Sequence, residues 1–147
     1  MSEPSMRRGV RFAAGVLLIA SGMQAVVHYH FYLARDALDP ARSEMVRVLQ
    51  GIVVAPAFGT TMWTVLCMLS LSYAILLALA GTAYWWMSKD LPAPRLRPLA
   101  TASAWLCLVG TAALAVLHPV LHAVLILLFA GLGFSYASWR GRSDITS

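Results

Sequence analysis

The sequence predicts an all-α protein: an integral membrane four-helix bundle with a short amphipathic helix in the first extracytoplasmic loop. Hydrophobic residues make up 60% of the 147 residues, charged residues make up only 12%, and the mean hydropathy is +0.73. A soluble protein of this length could not bury so much apolar surface, and it would have too few charges to cover its exterior. In addition, three long segments carry no charged residue at all: 12–34, 48–88 and 98–139.

These uncharged segments hold four predicted spans, because a spanning helix needs about 20 apolar residues. Gly51 and Pro56 interrupt the start of the second segment, so that segment holds one span. The third segment holds two spans, because Pro119 fits the first turn of a new helix but not a helix interior. We therefore expect a single transmembrane domain over residues 1–147. Its predicted spans are 12–33, 62–87, 98–117 and 120–139.

The sidedness of the spans follows from Lys and Arg, which favour cytoplasmic loops. Eight of the eleven basic residues lie in the N-terminal segment, the loop after the second span and the C-terminal tail, which four spans place on one face. We therefore expect both termini in the cytoplasm and the first loop outside. The net charge of +5 reflects this topology, since the basic residues flank the spans, and we expect no nucleic-acid partner.

A secretory signal peptide is the alternative interpretation of the first span. The chain begins with basic residues, and Ala20-Ser21-Gly22 fits a cleavage site. Cleavage there would leave three spans. The uncharged segment extends well past that site, which favours a span.

The first loop carries a predicted amphipathic helix. Asp39 and Pro40 suit the N-cap and the first helical position. Apolar residues then recur at helical spacing between polar ones, which indicates a helix lying on the outer surface. Its role is either a lid over the end of the bundle or a gate or docking surface for a partner. The apolar positions are Met45, Val46, Leu49, Ile52 and Val53.

Small residues at four-residue spacing indicate where helices approach closely in lipid. Ala74 and Ala78 have this spacing in the second predicted span, and Gly133 and Ala137 have it in the fourth. These pairs favour a compact bundle, with a homodimer as a further expectation.

A polar stripe runs along the first span. Ser21, Gln24, His28 and Tyr32 follow spacings of three, four and four, which place them on one helix face. Gln24 lies near mid-membrane, where an unpaired amide is costly, so the stripe should face protein or water. Three interpretations remain open: hydrogen bonds between helices that fix the packing, a metal or haem site, and a pocket for a lipid or small molecule under the loop 1 helix.

The metal or haem interpretation rests on the histidines, all of which lie toward the predicted outer face. Imidazole is a common ligand of zinc, copper and haem iron. His118 and His122 are four residues apart and share a helix face, whereas His28 and His30 cannot face the same way. The candidate metal ligands are therefore His28, His118 and His122.

No catalytic residue can be assigned from the sequence. The predicted spans contain no Asp, Glu, Lys or Arg, although a proton- or cation-coupled transporter usually keeps one at mid-membrane. The phosphate-binding, GxSxG and HExxH motifs are also missing. The sequence thus favours a non-enzymatic structural or accessory protein without a cofactor. Its expected partners are membrane lipid and a second copy of the chain or another membrane protein.

Two runs, FGTTMW at 58–63 and SLSY at 70–73, resemble the start of the second helix in a group of small uncharacterised bacterial membrane proteins with four predicted spans. The spacing of Gly22 and His28 and the pair Asp39-Pro40 are similar too. The layout is also similar to that of DoxX-like four-helix proteins. The resemblance covers roughly the first half of the chain. It implies a four-span architecture in a bacterial inner (cytoplasmic) membrane and carries no activity.

Overall fold

The computed structural model describes residues 3–34, 40–117 and 120–140, which form five α-helices and one small β-hairpin. Four of the helices are long and apolar enough to cross a membrane, which confirms the all-helical class and the number of candidate spans. One π-helical turn (Tyr29–Leu33) continues the first helix. The elements are α1 (Glu3–His28), α2 (Pro40–Gly51), β1 (Val53–Ala55), β2 (Thr60–Thr61), α3 (Met62–Asp90), α4 (Ala93–Leu117) and α5 (Leu121–Arg140).

The chain divides into two compact units. The first unit contains the described residues of Met1–Ala20 and Leu77–Ser147, and the second contains those of Ser21–Leu76. In the first unit, the Tyr84 hydroxyl of α3 hydrogen-bonds to Ser103 of α4, and the Tyr84 ring lies 4.6 Å from the ring of Phe134 on α5. These contacts connect three helices around one core. Its largest fully buried side chains are Met6, Val10, Ser88, Leu96 and Phe134. The buried residues of the second unit are His28, Val46, Trp63 and Ala74.

Helix α1 begins at Glu3, nine residues before the predicted span. The Glu3 carboxylate lies in the first turn, where the positive end of the helix dipole stabilises a negative charge. It also forms an ion pair with Arg7, one turn later, at 2.7 Å. This ion pair stabilises the first turns of α1, which are too polar to lie in lipid. The apolar run alone therefore does not mark the start of the helix.

Helix α4 begins at Ala93, five residues before the predicted third span, and Pro98 lies inside it. The carbonyl of Pro92 accepts the backbone N–H groups of Arg95 and Leu96 at 3.0 and 3.1 Å, which starts the helix one turn earlier. Only two residues, Leu91 and Pro92, separate α3 from α4. The basic residues assigned to a loop here lie instead on the ends of these helices.

The bounds of α3 and α5 lie close to those of the predicted second and fourth spans. Helix α3 begins at Met62, as predicted, and continues three residues further, to Asp90. Helix α5 lies within one residue of the predicted range at each end. His118 and Pro119, to which we assigned the turn before it, lie outside the described residues.

The helix expected in the first loop exists as α2, although it is shorter than predicted. It ends at Gly51, so Ile52 and Val53 do not belong to it. The reason is a hairpin that the sequence analysis did not anticipate: the Ile52 carbonyl accepts the Met62 N–H at 2.8 Å, and β1 pairs with β2 in antiparallel fashion. Gly59 closes the turn at φ 61°, a left-handed conformation that suits glycine.

Candidate functional site

The polar stripe of α1 contacts α3 within the second unit. Ser21 Oγ donates a hydrogen bond to the Ala74 carbonyl oxygen at 2.8 Å. Gln24 Nε2 donates to Ser70 Oγ at 3.0 Å, and His28 Nδ1 lies 3.2 Å from the same oxygen. Three predicted stripe residues therefore reach two positions one turn apart on α3. We call Gln24, His28 and Ser70 the Ser70 cluster.

The Ser70 hydroxyl can satisfy both of its partners at once. It has one proton to donate and two lone pairs that accept. Gln24 uses one lone pair, and His28 either receives the hydroxyl proton or donates its own to the second lone pair. The Ser70 hydroxyl is therefore compatible with either neutral tautomer of His28. The cluster can fix the positions of two helices without any charged group.

Aromatic rings close one end of the stripe. The Tyr32 ring lies 5.1 Å from the His28 ring and 5.0 Å from the ring of Trp63, with tilted geometries in both pairs. His28 is only 8% exposed and Trp63 only 4%, so water reaches neither ring easily. All four stripe residues therefore have a neighbour on α3 or within the stripe. The imidazole is held from two sides, by a hydroxyl and by a ring.

The matching face of α3 also follows helical spacing. Trp63, Ser70 and Ala74 are separated by seven and four residues, which places them on one face. The sequence analysis named Ala74 as a small residue suited to close approach. It missed Ser70 as the acceptor, although a hydroxyl four residues before that alanine was a usable signal.

A catalytic role for the Ser70 cluster would need more than the groups it contains. A hydroxyl within reach of an imidazole is the geometry of a nucleophile and its base, and such a base is normally oriented by a third polar group. In the described part of the chain, the only hydrogen bond of His28 is the one to Ser70. Gln24 binds the hydroxyl and not the ring.

The metal site that the sequence predicts at His28, His118 and His122 is not tested by the structure and stays a prediction. Across residues 3–34, 40–117 and 120–140, no group of three or more His, Cys, Asp or Glu side chains could hold a metal ion. His28 contacts Ser70 through Nδ1, and His122 is exposed near the start of α5. His118, the third candidate ligand, lies outside the described residues.

In the first unit, α1 and α5 are in close contact. A Cβ atom on Gly9 would lie 2.8 Å from the Gly133 carbonyl oxygen and 2.9 Å from the Ala137 backbone nitrogen. A Cβ atom on Gly133 would lie 2.9 Å from Phe12 Cδ1 and 3.1 Å from Ala13 Cβ. The predicted small-residue pair on α5 therefore meets a second glycine, on α1.

The basic N-terminal end of α1 binds the C-terminal end of α3. The Arg7 guanidinium donates to the carbonyl oxygens of Ser88, Lys89 and Leu91, and Arg11 Nε donates to the Ser88 hydroxyl at 3.3 Å. The last carbonyls of a helix have no partner within it, and cations near them are favourable. Arg7, one of the arginines that suggested sidedness, therefore also caps α3, and Arg11 binds a side chain on its last turn.

No family model, no curated protein and no solved structure matches this chain.

Outside the spans, the clearest electrostatic effect is on α2, where the Arg47 side chain donates to the Glu44 carboxylate at 2.8 Å. This hydrogen bond lowers the pKa of Glu44 below its ordinary value and raises the pKa of Arg47. Both side chains are fully exposed, so the pair marks the polar face of α2 and contributes little to stability.

Proposed function

We propose that this chain is a multi-pass integral membrane protein with a non-enzymatic, structural or accessory role. In this proposal the polar stripe of α1 serves to bind α1 to α3. The observation that carries it is that Ser21, Gln24 and His28 all have hydrogen-bond partners on α3. Apolar side chains gain little from leaving lipid, because acyl chains are as apolar as they are. In a bilayer, helices therefore associate through such hydrogen bonds and through close packing.

The proposed placement is a bacterial inner membrane, with both termini in the cytoplasm and α2 outside. Four apolar helices and the basic residues at their ends support it. Reporter fusions test it directly: green fluorescent protein joined after the last residue should fluoresce, and alkaline phosphatase inserted after Gly51 should be active. The opposite pair of signals would contradict the placement.

Two histidines of the same segment test the packing role. The His28→Ala variant should lower the free energy of unfolding by about 0.6–1.7 kcal/mol, the range measured for hydrogen bonds between membrane helices. His30→Ala is the matched control, because His30 is exposed and its ring packs against the ring of its chain neighbour Tyr29. Unfolding in mixed detergent micelles, followed by circular dichroism, measures both variants.

Metal and haem content measured on the same samples separates this proposal from its main alternative. We expect the His28→Ala variant to lose stability with no change in bound metal and no change in the visible spectrum. A metal ion or Soret band that disappears with His28 or His122 would instead favour the metal-binding function. Equal destabilisation by His28→Ala and His30→Ala would contradict the packing role.

A further inference from the structure

An apolar groove lies between α1 and α5 in the first unit. Its volume is about 410 Å³. Its floor is formed where Gly9 and Gly133, both buried, bring the two backbones together. Large side chains stand on either side of this floor, and each remains about half exposed. They are Phe12, Phe129, Leu132 and Tyr136.

One end of the groove is cationic. Arg8 lines it and, unlike Arg7 and Arg11, makes no hydrogen bond or ion pair with any described residue. The Arg140 guanidinium lies 5.4 Å from the ring centroid of Tyr136, which lines the same groove. Arg140 does not line the groove itself but lies near this end of it, and its guanidinium is also 5.3 Å from the Trp139 ring.

The direction of the groove follows from the contacts of its floor. Gly9 meets Ala137, and Phe12, almost one turn further along α1, meets Gly133. The start of α1 therefore lies beside the end of α5. Phe129 marks the opposite end, about 10 Å from Tyr136 at 1.5 Å per residue. The groove thus runs from two guanidinium groups to a wholly apolar end.

We propose that this groove binds one anionic phospholipid. An acyl chain lies over Gly9 and Gly133, between Phe12 and the apolar residues of α5, and the phosphate contacts Arg8 and Arg140. Guanidinium groups bind phosphate oxygens in bidentate geometry, and they disfavour a headgroup that carries its own ammonium. The distribution of charge therefore favours a phosphatidylglycerol-like lipid over a zwitterionic one.

The proposal rests on the membrane placement argued above and adds a ligand to it. Reporter fusions test that placement without reference to lipid binding, so the two can fail independently. A bundle with the expected topology that retains no anionic lipid would overturn only the binding proposal.

The test uses the full chain, purified in a neutral maltoside detergent and titrated with phosphatidylglycerol or with phosphatidylcholine of the same acyl chains. Native mass spectrometry counts the retained lipids, and the melting temperature reports stabilisation by binding. We expect one phosphatidylglycerol per chain. Arg8→Gln should weaken this binding about fivefold, the effect of about one basic residue at a lipid surface. Arg95→Gln, which removes an exposed arginine away from the groove, should leave it unchanged.

Two further measurements test whether the site binds a whole phospholipid, rather than an acyl chain or a phosphate group alone. The Leu132→Trp variant fills the groove from its exposed side and should abolish retention while the melting temperature of the lipid-free protein stays near that of the wild type. Inorganic phosphate alone should not raise the melting temperature. Equal binding of the two lipids, equal effects of the two arginine variants, stabilisation by free phosphate, or a dimer without retained lipid would each overturn the proposal.

Discussion

Two glycines of α1 provide a sharp test of the packing in the first unit. At Gly9, an added Cβ would lie 2.8 Å from the Gly133 carbonyl oxygen and 2.9 Å from the Ala137 nitrogen. At Gly15, an added Cβ would meet nothing within 4 Å. We expect Gly9→Ala to destabilise the protein and Gly15→Ala to leave it as stable as the wild type or more stable.

The magnitude follows from these distances. Non-bonded carbon atoms have their best separation at about 3.5–4.0 Å, so the methyl group at Gly9 would overlap two backbone atoms. Neither atom can rotate away, and α1 and α5 must separate along the crossing. Overpacking of this kind costs about 1–3 kcal/mol. Both substitutions gain the same helix propensity, up to about 1 kcal/mol, so the difference between the variants isolates the contact.

Unfolding of both variants in mixed detergent micelles, monitored by circular dichroism, measures that difference. We expect Gly9→Ala to be less stable than Gly15→Ala by about 1–3 kcal/mol. If the two variants were equally stable, the close approach of α1 to α5 would be wrong. If Gly15→Ala were the less stable one, the face that α1 turns toward α5 would be wrong.

Three other predictions concern the hydrogen bonds. In a double-mutant cycle of Gln24→Ala and Ser70→Ala, we expect a coupling energy of about 0.6 kcal/mol and at most about 1.7, measured by micellar unfolding. Arg7→Gln should speed hydrogen exchange at the end of α3, because its last carbonyls lose a donor. Arg47→Gln should raise the pKa of Glu44 toward its ordinary value in an NMR titration. The pKa of Glu44 is lower in the folded state than in the unfolded state. The ion pair therefore stabilises the folded state at pH values above the unfolded-state pKa of Glu44. This contribution is lost as the pH falls through the folded-state pKa.

The first two of these predictions have control variants, and the third has a direct refutation. Ser72→Ala removes an exposed hydroxyl two residues from Ser70 and should show no coupling to Gln24. Arg8→Gln removes the arginine next to Arg7 and should leave hydrogen exchange in α3 unchanged. A Glu44 carboxyl that titrates in its ordinary range while Arg47 is intact would refute the ion pair on α2.

The number and position of the long helices could be predicted because the thickness of a bilayer fixes the length of an apolar run. Their ends could not, since local polar contacts determine them. Glu3 and Arg7 extend α1 outside its apolar run, and the Pro92 carbonyl starts α4 before Pro98. We assigned Pro98 to a helix start because proline is unfavourable in a helix interior, but α4 begins five residues earlier and accommodates it.

The hairpin could not be predicted for a related reason. Its strands are three and two residues long, too short for alternation between apolar and polar positions to appear. The backbone hydrogen bond between Ile52 and Met62 and the left-handed Gly59 define it. Neither feature has a periodic signature in the sequence.

The stripe on α1 was visible in the sequence because four polar residues on one apolar helix face must find partners. Its partner was harder to identify. Ser70 lies four residues before Ala74, but only the rotation of α3 shows that this face, and not the one with Ser72, turns toward α1. The metal interpretation depends on whether three imidazoles lie close together. Residue spacing along the sequence cannot decide this, because the histidines belong to different segments. Spacing therefore identified the residues in need of partners, and only the three-dimensional arrangement supplied those partners.

Two kinds of helix contact in this protein suit lipid as the solvent: polar side chains that pair between helices, and small residues that let two backbones approach closely. In the second unit, hydroxyl, amide and imidazole groups pair across α1 and α3. In the first unit, Gly9 and Gly133 let the backbones of α1 and α5 approach closely. Apolar side chains such as Leu106, which is 75% exposed, gain nothing from association with another apolar surface. The few small and polar residues of the spans therefore determine this fold, although the many leucines and valines determine that its helices can cross a membrane.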